Sequence, residues 1–125
     1  MEVVRITDFE NSKVKNFLAT QKFLPIQQTP IWAKFQKSLG AESLRFAVFD
    51  ADEIVAFVQI FVKKLPFGLA KIEISRGPLL HGTWSMEHVT GNSGQLIEIS
   101  NLLISEIEKI AQERNAVFAR FDFQK

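Results

Sequence analysis

The chain has no cysteine, which excludes a disulfide framework, a thiolate nucleophile and a cysteine-ligated zinc site. It has no tyrosine either, against 12 phenylalanines. Phenylalanine fills a core but offers no phenol, so a tyrosine acid or oxyanion donor is excluded. Strong charge of one sign is also missing: 15 basic and 14 acidic residues leave a formal net charge of +1. A dedicated DNA-binding domain is usually strongly basic, so no DNA partner is expected. No apolar run approaches the roughly 18 to 20 residues of a membrane span. The longest, Ile54–Val62, is interrupted by Gln59. The first residues, Met-Glu-Val-Val-Arg, are not a basic stretch leading into an apolar one, so no signal peptide is expected. The expected location is cytoplasmic.

What remains is an ordinary globular composition, 46% hydrophobic and 23% charged over 125 residues. That length is room for one domain, which can bury roughly two-thirds of its unfolded surface. Val3–Thr7 is a β-branched run and reads as a first strand. Asn11 or Ser12 can cap a helix whose apolar face is Val14, Phe17 and Leu18. Thr29-Pro30 opens a second helix, with Thr as cap and Pro at the first helical position. Its apolar stripe of Ile31, Trp32, Phe35 and Leu39 is the expected core face, and Gly40 its stop. Leu44–Phe49 and Ile54–Lys63 flank the polar turn Asp50–Glu53 and read as a hairpin. Both faces of the second strand are apolar, which places it centrally. After a turn at Pro66-Phe67-Gly68, Ala70–Ser75 alternates apolar and polar residues as a half-exposed strand does.

Residues 76–93 show no periodicity and are too long for a structureless connection, so they hold either function or a small element. Asn92 and Gln95 can form a capping box for a helix over Gly94–Arg114. Leu96, Ile99, Leu103, Ile107 and Ile110 form its stripe, widened by Ile97, Leu102, Ile104 and Ala111. Such a face packs on a sheet and on something further. Asn115 ends the helix, and Ala116–Phe123 is the last strand. The order β-α-α-β-β-β-α-β implies an α/β fold, a mixed sheet with helices on both faces.

Several constellations carry chemistry. His81 and His88 supply residue types for a hydrolytic triad, but no Gly-x-Ser-x-Gly elbow accompanies them. Their seven-residue spacing is not a metal-ligand signature, and no metal site is expected. Gly91-Asn-Ser-Gly94 can present backbone N–H groups to an anion, but lacks the lysine and spacing of a phosphate loop. Lys34 and Lys37, three apart on one helix face, are a solvated pair or a holder of phosphate or pyrophosphate. Arg76-Gly77-Pro78 follows a strand. It is a tight exit turn or a cleft wall with a bidentate donor. Asp122 interrupts an apolar strand; it faces solvent with Arg120 and Gln124, or faces a cleft where it can accept a proton or orient an amine.

Three segments then occur in order: Gln28-Thr-Pro-Ile-Trp-Ala-Lys-Phe-Gln-Lys37; Pro66-Phe-Gly followed by Ile74-Ser-Arg-Gly-Pro-Leu-Leu80; and Ala119-Arg-Phe-Asp122. Together they resemble the N-terminal part of the Fem-type peptidoglycan bridge-forming aminoacyltransferases, over nearly the whole chain. The resemblance implies a GNAT-like acyltransferase fold. It implies transfer of an amino acid from aminoacyl-tRNA to the side-chain amine of a nucleotide- or lipid-linked peptidoglycan precursor peptide. It also implies no metal and no coenzyme A. By the same resemblance Lys34 and Lys37 approach the precursor's phosphates, Arg76 and Gly77 line the substrate cleft, and Asp122 sits near the acceptor amine as the catalytic residue.

The family's second subdomain and the fold's own last strands do not follow in residues 1–125. The chain is therefore expected to be a partial domain that needs the remainder, or a partner chain, and to present an unpaired sheet edge. Two other classes remain open: a non-catalytic interaction module built on the wide helix face and that edge, and a coenzyme A-dependent N-acetyltransferase of the same fold.

Overall fold

The computed structural model describes residues 1–8, 10–81 and 89–122, with side chains at all of these except 89–93 and 122. Its elements are β1 (Glu2–Arg5), α1 (Ser12–Ala19), α2 (Pro30–Ser38), β2 (Glu42–Asp50), β3 (Glu53–Lys64), β4 (Ala70–Ser75), β5 (Leu79–Leu80), α3 (Val89–Arg114) and β6 (Ala116–Asp122). Short 3-10 turns occupy Ile26–Gln28 and Pro66–Gly68. The expected order is present, with one addition: β5 is the small element of the aperiodic stretch.

Local chemistry sets the boundaries. Asn11 Oδ1 accepts from the backbone N–H groups of Lys13 (2.9 Å) and Val14 (3.4 Å), and so starts α1. Thr29 Oγ1 accepts from Trp32 N at 3.3 Å, with Pro30 at the first position of α2. Gly40, at φ +90°, ends α2, and Asn115, at φ +54°, ends α3. Both positions need the left-handed conformation that Gly adopts freely and Asn tolerates. Ala51 takes φ +56° in the β2–β3 turn.

The strands form one mixed sheet in the order β1-β2-β3-β4-β6. Neighbours are antiparallel through β4, and β4 pairs with β6 in parallel. A parallel pair needs a crossover, and α3 supplies it. β5 returns to pair with β3 at Phe57↔Leu79 and Ala56↔Leu80. β4 and β5 thus behave as one strand alongside β3, broken at Arg76-Gly77-Pro78.

β3 is central as expected, and every residue from Ile54 to Val62 is buried. Alternation divides the sheet between two helical layers. On one face Leu44, Phe46, Val48, Val58, Ile60, Ile72 and Ile74 pack with Ile99, Leu103, Ile107 and Ile110 of α3. On the other, Ala47, Phe57 and Leu79 pack with Val14, Phe17 and Leu18 of α1. The Phe17 and Phe57 rings lie 6.5 Å apart.

Three expectations need correction. The core face of α2 is not the stripe of Ile31, Trp32, Phe35 and Leu39. Ile31, Phe35 and Leu39 are exposed, Trp32 is half-buried, and the buried residues are Ala33 and Gln36. Small Ala33 lets α2 lie close to β2 and the neighbouring turn, and this leaves the larger side chains outside. Second, α3 starts at Val89, five residues before the expected Gly94. Residues 91–94 are therefore helical backbone rather than a loop before the helix, and the side chain of the expected cap Asn92 lies outside the described set. Third, the widening residues of α3 do not all bury: Ile97 and Ile104 are exposed.

The sheet's last strand carries exposed residues on both of its faces, Val117, Phe118 and Phe121 among them. Among the described residues β6 pairs with β4 alone. Phe123, expected to close this strand, lies outside the described residues.

Candidate functional site

Between its charged ends, Glu42 and Asp50, β2 is apolar except at Ser43 and Arg45. Leu44 and Phe46 point toward α3, so alternation turns Ser43 and Arg45 to the face carrying α1 and α2. There they form the floor of a cleft of about 320 Å³, with Lys15 and Leu18 of α1 on one wall and Pro30, Ala33, Lys34 and Lys37 of α2 on the other. Glu10 stands at its margin. This is within the size range of small-molecule sites.

Four cationic side chains therefore converge on one concavity. Lys34 and Lys37 are exposed and Arg45 is half-buried. Arg45 Nη1 donates to Ser43 Oγ at 3.0 Å and Nε donates to Ile6 O at 3.4 Å. Burial, and then the nearby positive charge of Arg5, lower its pKa from the usual arginine value. A guanidinium remains charged even so. Its charge is held where solvent shields it less, so an anion entering the cleft offsets an existing penalty. Lys15 pairs with Glu10. Lys34 and Lys37 form no ion pair with any described carboxylate. The arrangement suits a phosphate or diphosphate: two mobile point charges over one oriented fork.

The second region lies at the break between β4 and β5. Arg76 has φ +60°, and the Gly77–Pro78 peptide is cis. At Gln59, β3 has a strand neighbour only on its β2 side, because the break lies opposite on the other. The side chain of Gln28, fully buried, fills that place. Gln28 Oε1 accepts from Gln59 N at 2.7 Å, and Nε2 donates to Ser75 O at 2.8 Å. A carboxamide is a copy of a peptide group, so one side chain here serves as a rung of the sheet. Gly77 sits against it: a Cβ built at Gly77 would lie 2.8 Å from Gln28 Nε2. A side chain at Gly77 would have to displace the Gln28 amide, so Gly77 packs directly against the rung.

The backbone register connects the two regions. Arg45 is opposite Gln59, and Ser75 is opposite Asp122. One row across the sheet thus runs from the cationic cleft through the Gln28 rung to the end of β6. Arg76 and Asp122 are brought to the same end of the parallel β4–β6 pair, the end at which open α/β sheets place their ligands. The lysine pair is not beside them. From β2 to β6 is three strand steps, about 14 Å at the usual spacing. The side chain of Asp122 lies outside the described set.

Sequence reasoning singled out Lys34, Lys37, Arg76, Gly77 and Asp122, and it missed Lys15, Ser43 and Arg45. The available signal was Arg45 itself, a charged residue within the apolar run Leu44–Phe49. His81 forms a 3.4 Å contact with Glu53 at the margin of the sheet, and its backbone N–H donates to Val55 O. His88 lies outside the described residues. Among the described residues no three His, Asp or Glu side chains are grouped to hold a metal, and no helix is long and apolar enough to cross a membrane.

Comparison with known proteins bears on the family and the fold. A sequence model described as the FemAB family matches residues 9–123. No curated protein matches the chain. Among solved structures, the crystal structure of FemX superposes with a TM-score of 0.69 at 25% identity, covering 93% of this chain and 25% of its own. The chain thus spans about a quarter of the length of FemX. A ribosomal-protein-alanine N-acetyltransferase from Brucella melitensis biovar Abortus 2308 superposes with a TM-score of 0.64 at 15% identity, covering all of this chain and 82% of its own. A transcriptional regulator from Bacillus halodurans C-125 gives 0.54 at 16%, covering 99% and 83%. The last two establish the fold alone, and the fold is GNAT-like.

Proposed function

The chain belongs to the FemAB family, and from that premise we propose that it serves transfer of an amino acid from aminoacyl-tRNA to the side-chain amine of a peptidoglycan precursor peptide. The observation that carries this reading is the cleft in which Lys15, Lys34, Lys37 and Arg45 converge. A nucleotide- or lipid-linked precursor brings a diphosphate, and these cations match its charge. Lys34 and Lys37 engage it from α2, while Arg45 holds a fixed direction from β2 through its bond to Ser43.

The peptide of such a precursor would run along the row from Arg45 toward the end of β6. Arg76 and Gly77 form the wall there, and Asp122 ends the strand opposite Ser75. The amine attacks the ester carbonyl of the charged tRNA. The C–N bond forms, the C–O bond to the ribose breaks, the amine loses a proton, and the leaving ribose oxygen takes one up to become a free hydroxyl. Asp122 is the proposed acceptor of that proton or the group that orients the amine. The donor arrives already activated as an ester, so the reading calls for neither metal nor coenzyme A.

The test is calorimetric titration of the intact protein with a nucleotide-linked muropeptide precursor, followed by a transfer assay with charged tRNA. Saturable binding that weakens with salt, with transfer lost in Asp122→Asn, is the expected result. Heat of binding for acetyl-coenzyme A and none for the precursor would overturn it.

A further inference from the structure

The surface that α2 presents away from the sheet fits no role in the cleft. Ile31 is 72% exposed, Phe35 50% and Leu39 66%, and they follow one another at helical spacing. Phe23, at 67%, and Ile26, at 52%, extend the apolar area just ahead of α2. The Trp32 ring lies 5.2 Å from that of Phe35. Charge is unevenly distributed here as well. The chain has 14 acidic residues, yet none lies between positions 11 and 41, a stretch that holds five lysines. Lys13 and Lys15 have carboxylate partners in Asp52 and Glu10. Lys22, Lys34 and Lys37 have none among the described residues.

We propose that this surface docks on an anionic lipid bilayer. Exposed aliphatic and aromatic side chains flanked by unpaired lysines are the pattern of a helix that lies in the headgroup layer. The apolar ridge enters the acyl boundary, and the lysines reach anionic headgroups from its flank. Nucleic acid is a weaker fit, because Ile26, Ile31 and Leu39 cannot stack on bases. The other exposed apolar helix residues provide an internal contrast. Ile97 and Ile104 on α3 are accompanied by Glu98 and Glu108, and an anionic surface would repel that face. Lys34 and Lys37 are shared with the cleft, whereas Lys22, Ile31 and Phe35 do not line it, so substitutions at those three test the proposal separately from aminoacyl transfer.

The experiment is sedimentation of the intact protein with large vesicles of phosphatidylcholine alone or of phosphatidylcholine mixed equally with phosphatidylglycerol. Binding to the mixed vesicles, with little to the neutral ones and a loss in high salt, is expected. The double substitution Ile31→Ser/Phe35→Ser is expected to lower partitioning about tenfold, and Lys22→Glu to lower it as well. Ile97→Ser/Ile104→Ser is expected to change nothing. All these positions are exposed, so circular dichroism and melting temperature should match the parent. Absence of binding at low salt, equal binding to neutral vesicles, or binding untouched by Ile31→Ser/Phe35→Ser overturns the proposal. So does a result in which those substitutions dissociate a dimer, or abolish binding of bulk RNA, and leave vesicle binding as it was.

Discussion

Gln28 and Gln59 exchange their side-chain amides. Gln28 bonds the backbone of Gln59 at both N–H and C=O, at 2.7 and 3.2 Å. Gln59 Nε2 in turn donates to the backbone carbonyls on either side of Gln28, those of Gln27 at 3.2 Å and Thr29 at 3.0 Å. The pair ties the entrance of α2 to the centre of the sheet. The lysines of α2 therefore inherit their position from a buried polar contact, not from the apolar core.

Gln28→Leu removes that contact while keeping the volume. Gln59 N–H, Gln59 C=O and Ser75 C=O then all lose their Gln28 partner. At about 1 to 3 kcal/mol for each unsatisfied group, the loss is about 2 to 4 kcal/mol after partial relaxation. Urea denaturation should show a lower midpoint with an unchanged slope.

Gly77→Ala places a methyl group against the Gln28 amide and is expected to cost about 1 to 3 kcal/mol. Gln28→Ala/Gly77→Ala should cost less than the sum of its single substitutions, because the shortened side chain removes the clash. A double-mutant cycle measures this, and strict additivity would show that the two residues do not touch.

The corrected face of α2 separates two substitutions that look alike in sequence. Ile31→Ser should move stability by no more than about 0.5 kcal/mol. Ile99→Ala, in the core beneath α3, should cost about 2 to 5 kcal/mol. Equal losses in a thermal melt would contradict the burial pattern.

In the cleft, Arg45→Ala should weaken precursor binding more than Lys37→Ala, since Arg45 is held in place and Lys37 is exposed. Charge-assisted bonds of this kind are worth about 1.5 to 3 kcal/mol, so about tenfold or more is expected for Arg45. Each lost cation should also flatten the salt dependence of the affinity.

Glu73 gives a pH dependence. Burial pushes its pKa up, but hydrogen bonds from Lys63 and Lys71 outweigh burial, and the net direction is down. A carboxyl lowered in the folded state stabilises the fold above its unfolded pKa, near 4.3, and loses that contribution as pH falls through the folded value. Glu73→Gln should therefore be less stable than the parent at neutral pH, with the difference vanishing in strong acid. An unchanged gap across that range would exclude the two lysines as its cause.

Elements with a single dominant period were legible in the sequence. β4 occupies Ala70–Ser75 as its alternation predicts, and the stripe from Leu96 to Ile110 is the buried face of α3. The two helix caps were readable because Asn11 and Thr29-Pro30 act over three residues. The face of α2 was not readable. Periodicity reports that Ile31, Phe35 and Leu39 are aligned, not whether a sheet lies under them, and here Ala33 faces the sheet instead. The role of Gln28 was hidden for another reason. Its partners are tens of residues away, and no local pattern encodes a side chain that replaces a rung between strands. Arg76, Gly77 and Asp122 stood out by local chemistry and took their expected roles from a family resemblance. The pairing of Ser75 with Asp122 sets Asp122 at the end of the sheet where Arg76 and Gly77 follow β4.

A rung made by a side chain differs from one made by a backbone in its degrees of freedom. The strands on either side of Gln28 cannot rotate their peptide groups without losing the ladder above and below. Gln28 spans the gap from its own side chain, while β3 and β4 pair at Phe61–Lys64 and β3 and β5 at Ala56–Phe57. The row that joins the cationic cleft to the end of β6 therefore passes through one fully buried side chain. A substitution at that single position interrupts the row without altering the sequence of any strand.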